Sequence, residues 1–102
     1  KGKALPGEQS NVDKFEVVLL IQALKFYQKS SEDLTKRLNH CFEELEQNPF
    51  HGPNIKLLKT PKGKKVYRYR IGDYRVIYDV DKTNKKIGVH LILPRTKAYR
   101  NF

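Results

Sequence analysis

Between residues 64 and 93 the hydrophobic pattern repeats every second residue, and no other feature of the chain narrows its fold as much. Successive side chains of a strand point to opposite faces. The stretch Lys64–Arg70 therefore puts Val66, Arg68 and Arg70 on one side and Tyr67 and Tyr69 on the other. Gly72-Asp73 is a tight-turn signal, so Tyr74–Val80 is expected to fold back antiparallel. Its Tyr74, Val76, Tyr78 and Val80 form an apolar side, which leaves Arg75, Ile77 and Asp79 for the other. A longer turn at Asp81–Lys85 leads to a third strand, Ile87–Leu93, which Pro94 ends. Regular alternation there places Ile87, Val89, Leu91 and Leu93 on one side and Gly88, His90 and Ile92 on the opposite one.

Upstream the signals differ. Residues 1–13 read as a flexible lead, because Lys1–Gly7 lacks a secretory hydrophobic region, and residues 14–102 as a single domain. Lys14–Ile21 is β-branched and apolar and favours a strand, and Gln22–Lys29 a short helix. Ser30 followed by Asp33 resembles a capping box for a second helix. In that helix Leu34, Leu38, Cys41, Phe42 and Leu45 share an apolar face, and Asn48-Pro49 stops it. The expected fold is α+β, in the order β-α-α-β-β-β. Two N-terminal helices cover one face of a four-stranded, mostly antiparallel sheet whose other face stays open.

Charge is distributed unevenly. Residues 1–50 hold seven Lys/Arg against eight Asp/Glu, and residues 51–102 fourteen against three, so net charges of −1 and +11 make up the total of +10. A basic concentration of this kind attracts a polyanion: nucleic acid, an anionic membrane or an acidic protein. The longest apolar run, Val17–Ile21, is far short of the roughly 20 residues a membrane span needs. Cys41 is the sole cysteine, which excludes an intrachain disulfide and any zinc site with two cysteine ligands and suits a reducing, cytoplasmic setting. Its place on the apolar helix face marks it as a buried structural thiol.

Strand parity gathers Arg68, Arg70 and Arg75 on the open face, with Arg95 just past the last strand. A lone arginine there would be an ordinary solvated side chain. Several together are costly neighbours unless an anion lies between them, and the guanidinium fork fits phosphate oxygens. Lys56, Lys59, Lys62, Lys64 and Lys65 are expected beside them as phosphate contacts that add affinity more than selectivity. His40 and His51 have no metal-ligand spacing, so no metal and no cofactor is expected. His90 is a minor candidate for titration near a phosphate.

The run from Tyr67 to Val80, with Gly72-Asp73-Tyr74-Arg75 at its centre, followed by Leu93-Pro94-Arg95-Thr96-Lys97-Ala98-Tyr99, resembles the C-terminal half of RelE toxins of the RelE/ParE superfamily, the archaeal-type members above all. The resemblance extends over residues 14–100. It implies a microbial-RNase-like fold and a metal-independent, ribosome-dependent endoribonuclease, an mRNA interferase of a type II toxin–antitoxin system that inhibits translation. The expected reaction is attack of an RNA 2′-hydroxyl on the adjacent phosphate. The implied partners are mRNA, the ribosome and a RelB-like antitoxin with an acidic contact surface.

Carried over by position, the catalytic set is Arg68, Arg70, Arg75, Arg95 and Tyr99, with Lys97 among the RNA- or ribosome-binding residues. Bacterial members resembling this chain have lysines where Arg68 and Arg70 stand. An arginine does not release its proton, so the general base must lie elsewhere, with Lys97 and His90 as weak candidates. Two other readings stand beside this one: a ParE-like toxin that acts on DNA gyrase, and a non-catalytic RNA-binding module using its tyrosines as stacking platforms.

Overall fold

The computed structural model describes residues 14–95. Its elements are β1 (Glu16–Leu19), α1 (Ile21–Lys29), α2 (Glu32–Gln47), β2 (Ile55–Lys59), β3 (Lys65–Ile71), β4 (Tyr74–Asp81) and β5 (Lys86–Pro94). They form one five-stranded sheet in the order β1-β5-β4-β3-β2. β1 runs parallel to β5, and the other pairings are antiparallel.

The α+β class and the two helices agree with expectation, but the sheet is mixed and has five strands rather than four. The added strand is β2, which pairs with β3 from Ile55 opposite Tyr69 to Lys59 opposite Lys65. Its Ile-Lys-Leu-Leu-Lys sequence shows no clean alternation, because an edge strand has exposed positions on both faces.

Local chemistry explains the helices. The Ser31 side chain caps α2 by accepting from the Leu34 N–H at 3.2 Å, and Glu32 and Asp33 occupy its electropositive first turn. The cap is therefore Ser31, one residue beyond the position expected. Ser30 instead closes α1, its hydroxyl donating to the Tyr27 carbonyl at 2.8 Å. Past the end of α2, the Asn48 side-chain oxygen accepts from the Phe50 and His51 amides and turns the chain toward β2.

The core lies between the helices and one face of the sheet. Ala23, Leu38, Cys41 and Leu45 meet Tyr69, Val76, Tyr78, Ile87, Val89 and Ile92 there. Burial of the Cys41 thiol raises its pKa well above the ordinary value, in keeping with a structural role. Tyr78 is fully buried, and its hydroxyl donates to the Pro49 carbonyl at 2.6 Å, tying β4 to the α2–β2 connection.

One strand departs from regular alternation. β4 and β5 pair Ile77 with Leu91 but Tyr78 with Val89, so His90 is an extra residue in β5, a β-bulge. The bulge reverses parity beyond it. Ile92 turns into the helix-side core, while Leu91 and Leu93 join Leu58, Val66 and Ile77 in a small apolar cluster on the other face. The expected placement of Leu91, Leu93 and Ile92 is thus inverted.

Candidate functional site

The face of the sheet away from the helices carries a small apolar cluster around Val66 and Ile77 that runs from the arginines, where Arg68 stands opposite Ile77 and Arg75 opposite Leu93, to an open groove. At the end nearest the Gly72 turn lie the arginines. Arg70 is the direct cross-strand partner of Arg75, and Arg68, two residues before Arg70 on β3, shares their face. Lys56 of β2 stands opposite Arg68. Directly opposed residues of an antiparallel pair have Cα atoms only about 5 Å apart, so this is a tight set of like charges. Among the described residues, no carboxylate lies within ion-pair distance of Lys56, Arg68, Arg70, Arg75 or Arg95.

Arg75 is 5% exposed and held by its backbone surroundings, with Nη1 donating to the Gly72 and Tyr74 carbonyls at 2.9 Å each. Those contacts fold its side chain back over the hairpin turn. Its Nε and the Nε of half-buried Arg68 are buried without a hydrogen-bond partner. Unpaired buried donors on cations are costly, and an anion seated between the two strands would relieve them. Arg70 is exposed. The Arg95 amide donates to the Asp73 carbonyl at 2.7 Å, which pins that residue beside the same turn.

The turn itself depends on Gly72, whose φ is +50° and whose missing Cβ would lie 2.6 Å from an Arg37 side-chain nitrogen. The hairpin that carries Arg70 and Arg75 is thereby seated against α2.

The lysines divide into separate groups. Lys56 belongs to the arginine end, and Lys62 and Lys64 line the groove described next. Lys59 and Lys65 face each other across β2 and β3 on the opposite parity, the helix side of the sheet, so they do not join the arginine face. Lys97 and Tyr99 lie outside the described residues.

At the other end is an open groove of about 590 Å³, floored by Val66, Ile77 and Leu91 and rimmed by Thr60, Pro61, Lys62, Lys64 and His90. Asp79 is the acidic side chain beside it. Its Oδ2 lies 3.3 Å from Lys64 Nζ and 3.1 Å from His90 Nε2, the latter without the alignment of a hydrogen bond. Gly88 makes room for this contact, since a Cβ there would come within 2.8 Å of Asp79 Oδ1. Strand alternation alone does not bring Asp79, His90 and Lys64 together. Gly88, a glycine inside a strand pattern, was the available signal of their association.

Among the described residues, no cluster of His, Cys, Asp and Glu is arranged to hold a metal ion, and no helix is long and apolar enough to cross a membrane. The chemistry on offer is cationic: permanent positive charge on a rigid sheet, with the imidazole–carboxylate pair His90–Asp79 at the groove and a second, His40–Glu44, on α2.

Residues 20–99 match the family described as the ParE toxin of type II toxin–antitoxin system, parDE. The chain is 30% identical over 88 residues to the RelE1 protein of Methanocaldococcus jannaschii, covering 86% of this chain and 98% of that protein. Among solved structures, the archaeal RelE–RelB complex of Pyrococcus horikoshii aligns with a TM-score of 0.71 at 29% identity, over 83% of this chain and 99% of that one. The toxin–antitoxin complex RelBE2 of Mycobacterium tuberculosis aligns with a TM-score of 0.68 at 17% identity, over 80% and 99%, a likeness of fold. The chain belongs to the RelE/ParE superfamily of toxins of type II toxin–antitoxin systems. Within it, the matches place the chain with archaeal RelE.

Proposed function

We propose that the chain is an mRNA interferase that cleaves mRNA on the ribosome without a metal, by attack of an RNA 2′-hydroxyl on the neighbouring phosphate. The observation that carries this reading is the arginine end of the sheet: Arg70 opposite Arg75, Arg68 on the same face, and buried unpaired Nε atoms on Arg68 and Arg75. Charge develops on the phosphate oxygens as the 2′-oxygen approaches, and preorganised guanidiniums stabilise that charge at little reorganisation cost. Arg68, Arg75 and Arg95 are assigned to this role. Arg70, exposed at the rim, positions the substrate phosphate, with Lys56 beside Arg68 as a further backbone contact. Tyr99 stacks on a base or assists proton transfer.

Replacing Arg75 by alanine is expected to lower cleavage of ribosome-bound mRNA by a factor on the order of 100. Near-normal cutting by a folded Arg75→Ala protein would defeat the assignment. Because Arg75 also holds the turn carbonyls, Arg68→Ala serves as the parallel variant, judged by the same assay.

The partner proposed for the chain is a RelB-like antitoxin, as in the Pyrococcus complex, with an acidic surface against the open sheet face. The match of residues 20–99 to the ParE toxin family favours a second reading, a ParE-like toxin acting on DNA gyrase, because fold does not determine target. Gyrase-dependent DNA breaks with intact mRNA would decide for it.

A further inference from the structure

The arginines of the open sheet face supply charge but do not take up a proton at neutral pH, and 2′-hydroxyl attack needs a group that does. We infer that His90 is the general base of this site and that Asp79 is its positioning residue. The inference rests on the RNA-cleaving reading above and adds the residue that reading lacks.

Independent features of the backbone converge on this pair. The bulge in β5 falls at His90, and such an insertion re-aims a side chain at the cost of a regular ladder. Gly88, opposite Asp79 in the ladder, leaves the carboxylate room where it stands, since a Cβ there would force Oδ1 to shift. The result is Asp79 Oδ2 at 3.1 Å from His90 Nε2, a nitrogen buried against the carboxylate, while the imidazole as a whole stays partly exposed at the groove. Nε2 thus faces the carboxylate, and Nδ1 is the imidazole nitrogen left for a substrate.

Position relative to the arginines is suitable. Arg68 pairs with Ile77, and Ile77 with Leu91, the residue after His90. Two strand spacings, about 10 Å at the backbone, thus separate the two elements, with Ile77 between them on the same sheet face. A ribose lying on the Val66–Ile77–Leu91 surface beside His90 would sit one strand away from Arg68, which pairs with Ile77. The charged groups facing His90 are Asp79 from β4 and Lys64 and Lys62 from the β2–β3 turn. Lys64 shares the Asp79 oxygen, so it restrains the carboxylate.

In the step itself the 2′-O–H bond breaks and its proton passes to His90 Nδ1. The O2′–P bond forms as the P–O5′ bond breaks, and the departing O5′ takes a proton from water. The products are a 2′,3′-cyclic phosphate and a 5′-hydroxyl end, and His90 then returns its proton to solvent.

The test compares wild type, His90→Ala, His90→Gln, Asp79→Asn and Arg68→Ala in single-turnover cleavage of ribosome-bound mRNA across a pH series. Ribosome binding and thermal unfolding are measured on the same proteins. His90→Ala and His90→Gln are expected to cut on the order of 100-fold more slowly, to bind ribosomes normally and to lose a rising limb of the rate–pH profile. Asp79→Asn is expected to slow cleavage less and to displace that limb, an effect a merely structural role would not produce. If folded His90→Gln cuts at the wild-type rate with the wild-type profile while Arg68→Ala is impaired, the assignment of His90 is overturned and the nuclease reading stands. If wild type does not cut, both are overturned.

Discussion

Arg75 shows how much one side chain can be asked to do. It closes the hairpin turn through two backbone carbonyls and also presents charge on the open face with an unpaired Nε. Parity alone placed Arg68, Arg70 and Arg75 together, because three positions on two strands joined by a tight turn leave little freedom. The same logic could not reach Lys97 and Tyr99, which lie past Pro94 where strand periodicity ends. Tyr78 carries a prediction of its own. Burial, more than its neighbours, raises the Tyr78 pKa above the usual tyrosine value, and Tyr69 is raised in the same way. An unfolded chain loses these phenolic protons near pH 10, while the folded protein retains them. Above that pH the unfolded state binds fewer protons, so the stabilisation, complete below pH 10, falls as pH rises toward the folded values. Urea midpoints are therefore expected to fall with increasing slope as pH rises above about 10, and less steeply in Tyr78→Phe. Equal slopes in the two proteins would contradict this.

At the scale of elements, the bulge in β5 is the feature that sequence reading missed. Leu91, Ile92 and Leu93 are all apolar, so composition does not reveal which of them faces the helices; the extra residue at His90 decides it. β2 was missed for a related reason, since its lysines and leucines serve an edge with two partly exposed faces. The parallel pairing of β1 with β5 is a long-range choice that no local pattern records. The inverted parity makes a clear forecast. Ile92 is fully buried in the main core, so Ile92→Ala is expected to cost about 2–5 kcal/mol. Leu91 is half-buried beside an open groove, so Leu91→Ala is expected to cost distinctly less. Denaturant titration of the two variants checks the order, and a larger loss for Leu91→Ala would restore the regular alternation.

Across the described residues, the sheet separates tasks: helices and the main apolar core on one side, the arginines and the groove on the other. The net charge of +11 over residues 51–102 was legible from composition, but its division into an arginine end, a groove and helix-side lysines needed the strand register. An acidic antitoxin that covers the open face is expected to bind more weakly as salt rises, because surface charges are screened within roughly 10 Å at 0.1 M. Affinity measured at two salt concentrations checks this, and an unchanged value would argue against an electrostatic cover. The central claim is that these cations handle a phosphodiester. Its most direct test is to map the ends left on mRNA after purified protein acts on programmed ribosomes. Internal cuts with cyclic-phosphate and 5′-hydroxyl ends are expected, strongly diminished in Arg68→Ala and Arg75→Ala. Uncut mRNA under wild-type protein, or cuts of equal yield from both variants, would contradict that claim.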